Sequence, residues 1–142
     1  AEALSAYFSS LTGREAGDPR SVDINQRSLT LLADAPGVAW ATFSTLCEEP
    51  RSAVDYVEMA REYHTVLIEQ IPPLDRDKED AARRFINLVD EFYDRKVKLI
   101  ATAARAPEAL YDGSRLRFEF DRTVSRLQEM RTEEYLKAEH RP

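Results

Sequence analysis

Two short apolar runs separated by one strongly amphipathic stretch constrain this chain more than any other feature. His64-Thr65-Val66-Leu67-Ile68-Glu69-Gln70-Ile71 is almost continuously apolar through its middle and is ended by Pro72-Pro73. A strand with one face in water would alternate, so this run predicts a strand covered on both faces. Between about Asp77 and Asp94 the residues Ala82, Phe85, Ile86, Val89, Phe92 and Tyr93 recur every three to four positions, and Arg83, Arg84, Asn87, Asp90 and Glu91 fall elsewhere. That period is a helix with one buried stripe. Residues 97–103 form a second short apolar run. Strand, covering helix and strand predict a βαβ unit, with strands at about 64–71 and 97–103 lying parallel through a right-handed crossover.

The flanks add to this unit. Leu4, Tyr7, Phe8 and Leu11 sit at helical spacing before a loop from Gly13 to Pro19. Residues 22–24, 28–33 and 38–43, the last carrying Trp40, predict an antiparallel β-meander. Ser52 is placed to cap a helix with Ala53, Tyr56, Val57, Ala60 and Tyr63 on its apolar side. Beyond a helical turn at 107–110 and a tight turn at Asp112-Gly113, the stripe Phe118, Phe120, Val124, Leu127, Met130 predicts one final helix to about Lys137, with 139–142 frayed. The expected fold class is α/β: a parallel βαβ unit with covering helices, an N-terminal antiparallel meander and a C-terminal helix.

Several chemistries are excluded by what the 142 residues contain. Cys47 is the one cysteine, so no internal disulfide forms, and His64 and His140 are the only histidines, too few for a histidine-rich metal site. None of Gly13, Gly17, Gly37 and Gly113 leads into a lysine, as a phosphate-cradling loop requires. HExxH, CxxC and G-x-S-x-G are also missing. With 26 acidic against 20 basic side chains and a net charge of −6, the chain is not expected to bind nucleic acid. No run of about 20 apolar residues is present to span a bilayer, and no export signal opens the chain, so a cytoplasmic location is expected. Because Ala1 stands where a methionine would begin a protein, the chain is expected to be a fragment.

What remains are a few side chains with chemical potential. Cys47, with no basic residue beside it, reads as a buried, inert thiol. Glu69 closes an apolar strand, where α/β enzymes place carboxylates facing ligands, although a polar residue where the strand emerges is the preferred reading. His64 reads as a packing residue. Arg122 and Arg126 are one helical turn apart and share a face, with Ser125 near them and Arg115 and Arg117 upstream. Two guanidinium groups so arranged suit a phosphate or carboxylate. Asp121, Glu119 and Glu129 are close enough in sequence to pair with them, so a salt-bridged helix is the alternative.

The order of motifs carries a further reading. Val38-Ala39-Trp40-Ala41-Thr42-Phe43-Ser44-Thr45-Leu46-Cys47, Asp55-Tyr56, His64-Thr65, Ile71-Pro72, Arg84-Phe85-Ile86, Asp90-x-x-Tyr93-Asp94, Lys96-Val97-Lys98-Leu99 and Arg122-Thr123-x-Ser125-Arg126-Leu127-x-Glu129-Met130 resemble the C-terminal part of the ZapE/AFG-like family of AAA+ P-loop ATPases. The resemblance covers nearly everything from Ser21 onward. It implies that residues 1–20 are a helix and loop linking to an upstream ATPase core, and that 21–142 are the C-terminal α/β region. Walker A and Walker B would lie upstream, so ATP and Mg belong to the full-length protein and the segment alone is expected to bind neither and to be inactive.

Within the segment, the strand ending Glu69-Gln70 resembles a degraded Walker B pair, in which Gln70 cannot act as a base. Residues 100–103 with 107–111 resemble a sensor-strand unit. The resemblance makes Arg126 and Arg122 the candidate catalytic residues, as a sensor or in-trans arginine. It also implies cell division at the septal ring as the parent's process, self-association, and a division-ring or inner-membrane partner, with the protein peripheral to the inner membrane or division site. The other reading is a non-catalytic interaction module that docks such a partner through the hairpin around an exposed Trp40 or through the acidic surface.

Overall fold

The apolar run at 65–71 becomes an interior strand of a four-stranded sheet. The computed structural model describes residues 2–142. It begins with α1 (Glu2–Thr12), followed by β1 (Arg20–Ile24), β2 (Arg27–Leu31), β3 (Ala33–Ala35) and β4 (Val38–Thr42). A π-helical turn, Ser44–Glu48, leads to α2 (Ala53–Glu62), β5 (Thr65–Ile71) and the two-residue β6 (Leu74–Asp75). Then come α3 (Glu79–Asp94), β7 (Lys98–Ala103), α4 (Pro107–Leu110), β8 (Tyr111–Asp112), α5 (Arg117–Glu129) and α6 (Glu133–Lys137).

The main sheet has the order β3-β4-β5-β7. β5 runs parallel to β7 with α3 between them in sequence, as the periodicity requires. The antiparallel pairs expected near the N-terminus form, but as two separate hairpins. β1 and β2 make a sheet of their own, whereas β3 and β4 join the main sheet, where β4 lies parallel to β5 from Val38↔Thr65 to Thr42↔Glu69. The unbroken apolar stretch Val38-Ala39-Trp40-Ala41 is the signature of that interior position, with all four residues buried.

Strand alternation distributes the core over both faces of the sheet. Ala39, Ala41, Val66 and Ile68 pack with Tyr56, Met59, Phe85, Val89 and Phe120 of the helices on one side. Val38, Trp40 and Leu67 pack under Leu4 and Phe8 of α1 on the other. Phe85 is the hinge pin of the larger side: its ring lies 5.9 Å from Phe43 and 6.3 Å from Phe120. Removing a buried aromatic of this kind costs about 3–5 kcal/mol. Trp40 is only 6% exposed, with Phe8 5.9 Å away, so the expected exposed Trp40 anchor is overturned by α1, which covers it.

Local chemistry sets the connections. Asn25 and Gln26 both have positive φ, at 53° and 63°, the conformation a two-residue hairpin between twisted strands needs. The carboxylate of Asp55, in the first turn of α2 and 1% exposed, accepts from Ser52 N–H at 2.8 Å, Asn25 Nδ2 at 2.8 Å and Arg27 Nη1 at 2.6 Å. It thereby caps α2 and ties the β1–β2 hairpin to it. At the other end of the unit, Lys96 (φ 57°) turns the chain out of α3 while Val97 N–H bonds Phe92 O at 3.0 Å, delivering the chain directly to β7.

Two further expectations need correction. The final helix is two helices: after Glu129 the chain breaks, and Thr132 Oγ1 accepts from Tyr135 N–H to start α6. The terminal residues do not fray freely, because Arg141 N–H donates to Arg95 O at 2.8 Å and the His140 ring meets Ala60 O. Lys98 Nζ secures the same region by donating to the carbonyls of Tyr135 and Ala138 at 3.1 and 2.8 Å. His64 does pack, but at the surface: its ring covers Gly37, where an added Cβ would lie 2.5 Å from it, and Nδ1 pairs with Thr65 Oγ1 at 2.8 Å.

Candidate functional site

The carboxyl ends of the parallel strands are where α/β sheets offer residues to ligands. Here that edge is made by Thr42 of β4, Glu69 of β5 and Thr102 of β7. Thr42 and Glu69 are register partners. After Ile68 the pairing of β5 with β7 slips, Gln70 takes a φ of 64°, and its N–H donates to Thr102 Oγ1 at 3.0 Å. The bulge turns Gln70 outward while Glu69 stays 6% exposed. Thr42 Oγ1 is engaged by Thr45, through both its hydroxyl at 3.1 Å and its N–H at 3.2 Å. The threonines of this edge therefore brace the backbone.

A phosphate cradle needs open backbone beside a helix N-terminus and a cation facing it. The Cβ positions of Gly37 and Gly113 are occupied by the His64 ring and by Glu79 and Tyr111. Gly13 and Gly17 have open space but lie in the loop after α1. Among the described residues, therefore, no glycine forms an open phosphate cradle at this edge.

α5 carries the two arginines singled out in the sequence, and the fold makes them unequal. Arg126 forms an ion pair with Asp90 of α3, and its guanidinium lies over the Tyr93 ring, 5.2 Å from the centroid. The phenol of Tyr93 donates to Glu129 at 2.7 Å. Arg126 thus fixes α5 on α3. Arg122, one turn earlier, is exposed and has no hydrogen bond or ion pair among the described residues. The acidic residues that sequence spacing offered to the pair are used elsewhere: Glu119 binds Arg83 at 3.2 Å, Asp121 binds Arg117 at 3.3 Å, and Glu129 takes Tyr93. Phe118, one turn before Arg122, is 71% exposed.

The remaining sequence candidates settle into supporting roles. Cys47 is fully buried, and burial pushes its thiol up to about 12, which makes it inert at neutral pH. Above it, the Tyr56 hydroxyl donates to Leu46 O at 2.7 Å. Glu79, at the start of α3, was missed in the sequence. Desolvation raises its pKa, but hydrogen bonds from Tyr111 and from the N–H groups of Ser114 and Arg115 win, and the carboxyl sits below the usual range. An acidic residue at a helix N-terminus was the available signal. Glu79 lines a polar cleft of about 400 Å³ with Arg76, Asp77, Asp80, Ser114 and Arg115.

The family model for the AFG1-like ATPase matches residues 1–139. Cell division protein ZapE of Escherichia coli K12 is 45% identical over 130 residues, which is 92% of this chain and 35% of the relative. Lactation elevated protein 1 homolog B of Danio rerio is 33% identical over 167 aligned positions, covering 94% of this chain and 33% of that protein. No solved structure matches. The chain spans about a third of the length of these relatives. With a family model that reaches across all of the main sheet and both faces of its core, the chain belongs to the AFG1-like ATPase family.

Proposed function

We propose that these residues are the C-terminal accessory unit of an ATPase linked to cell division, and that a Walker A/Walker B core elsewhere in the full-length chain binds ATP and Mg and carries out hydrolysis. The observation that carries this reading is the division of labour on α5: Arg126 is clamped to Asp90 and Tyr93, while Arg122 projects into solvent from the helix so fixed. A guanidinium held on a rigid helix, with no acidic partner of its own, is suited to stabilise charge on a transferring phosphoryl group. In this reading Arg122 acts on ATP held by the core of the same chain or of an associated copy, and Arg126 positions it. On this reading the parent works in the cytoplasm, peripheral to the inner membrane at the division site; the name of the bacterial relative supports only the link to cell division.

The test is ATP turnover by the full-length protein. Arg122→Ala is expected to lower it by about tenfold or more with circular dichroism unchanged, since arginines in this role contribute large factors. Arg126→Ala is expected to lower both turnover and thermal stability. Full turnover by Arg122→Ala removes Arg122 from the reaction. A second reading rests on Phe118, whose exposed ring beside Arg122 is the composition of an interface hot spot. On that reading the segment docks a division-ring or inner-membrane protein, and Phe118→Ser abolishes the docking while turnover holds.

A further inference from the structure

β5 and β7 are neighbours in one sheet, yet they are treated differently by their surroundings. Thr65 to Glu69 are all buried, whereas β7 is half-exposed along its length and Ala101 and Ala103 are exposed. β7 ends the strand order, so among the described residues one side of it has no strand partner. Lys98 N–H bonds His64 O at 2.8 Å and Ala104 N–H bonds Ile71 O at 2.9 Å, which puts these amides on the β5 side. By strand alternation the amides of Leu99, Ala101 and Ala103 face outward. No proline or bulge lies within β7 itself.

The outward side of β7 is also the floor of an apolar groove of about 630 Å³. Tyr7 of α1 stands on one side, Leu127, Met130 and Leu136 of the α5–α6 region stand on the other, and Leu99 and Ile100 lie between. Tyr7 and Leu136 are 54% and 52% exposed. A backbone edge with a row of outward donors, flanked by mainly apolar side chains with Arg105 and Arg131 at the margin, has the shape and chemistry that a single extended segment fills.

We propose that β7 is completed by a β-strand from the part of the full-length polypeptide outside these residues, paired alongside it and packed under Tyr7 and Leu136. The family relatives are about three times as long as this chain, so a supply of such segments exists in the same molecule. A second copy of this chain fits less well. Its own β7 is flanked by the same projecting helices, and two such edges meeting would bring those helices together before the strands could pair. The inference rests on the reading of these residues as one unit of a longer ATPase.

The test is amide hydrogen exchange at Leu99, Ala101 and Ala103, compared between the full-length protein and the 142-residue chain. Protection is expected to be at least ~100-fold greater in the full-length protein, the scale of a paired rather than an open strand. Ala101→Pro removes an outward donor, as edge strands tolerate, and should abolish that gain at Leu99 and Ala103 in the full-length protein. Equal, fast exchange in both proteins would overturn the proposal. So would protection in the 142-residue chain that disappears on dilution, which would assign the edge to a second copy. Turnover of Arg122→Ala is measured separately, so loss of either conclusion is recognisable without the other.

Discussion

Asp55→Ala removes a single carboxylate and should separate the β1–β2 hairpin from α2. The buried carboxylate accepts three hydrogen bonds, from Ser52 N–H, Asn25 Nδ2 and Arg27 Nη1. Loss of the helix-capping bond costs about 1 kcal/mol. Loss of the Asn25 bond costs about another 1 kcal/mol. The Arg27 side chain is 44% exposed, so its ion pair is screened and contributes under about 1 kcal/mol. The expected destabilisation is roughly 2–3 kcal/mol, or a fall in Tm of about 6–12 °C for a domain of this size. Urea titration followed by circular dichroism measures it, with an unchanged m-value showing that the rest of the fold still unfolds as one unit. Asp55→Asn keeps an acceptor for Ser52 but loses the charge, and should cost about half as much. A loss below about 1 kcal/mol for Asp55→Ala would refute the idea that this carboxylate joins hairpin and helix.

Two more outcomes follow from local geometry. Gln26 is exposed at a φ of 63°, so Gln26→Gly should stabilise the chain by about 0.5–1 kcal/mol, read as a higher urea midpoint. His64 is held below its ordinary value of 6.5 by desolvation, with His140 and Lys98 adding repulsion. The unfolded chain therefore takes up the proton first as pH falls, and stability should decline from about pH 6.5 downward until the folded form is protonated too. His64→Gln should flatten that part of the stability profile, and an unchanged profile would exclude His64 as its source.

The parts of the fold that could be read from sequence are those whose patterns are local. The stripe of α3 and the apolar runs of β5 and β7 state their own burial, and together they dictate a parallel pair. β4 carried the same continuous apolar signal, but its proximity to β3 and two turn-rich segments drew it into a meander instead of the main sheet. The split between α5 and α6 hinges on Thr132, followed by Glu133 and Glu134, a cap with acidic residues in the first turn. That signal lay inside a stripe that reads as continuous. Trp40 was misplaced because α1, whose Phe8 covers it, is far away in sequence.

The candidate site shows the same limit. Spacing put Arg122 and Arg126 on one face of a helix, which α5 bears out. What distinguishes them is Asp90 and Tyr93, more than 30 residues earlier on α3. Nearby acids seemed the natural partners by spacing, yet Arg83, Arg117 and Tyr93 occupy them. The chemistry of an arginine depends on which charges tertiary packing leaves beside it.

The most direct measurement is ATP hydrolysis by the 142-residue chain beside that of the full-length protein under the same conditions. On the proposed reading, in which the ATP-binding core lies outside these residues, the 142-residue chain should show no turnover and no nucleotide binding by itself, while the full-length protein hydrolyses ATP. Sustained turnover by the 142-residue chain alone would contradict the account.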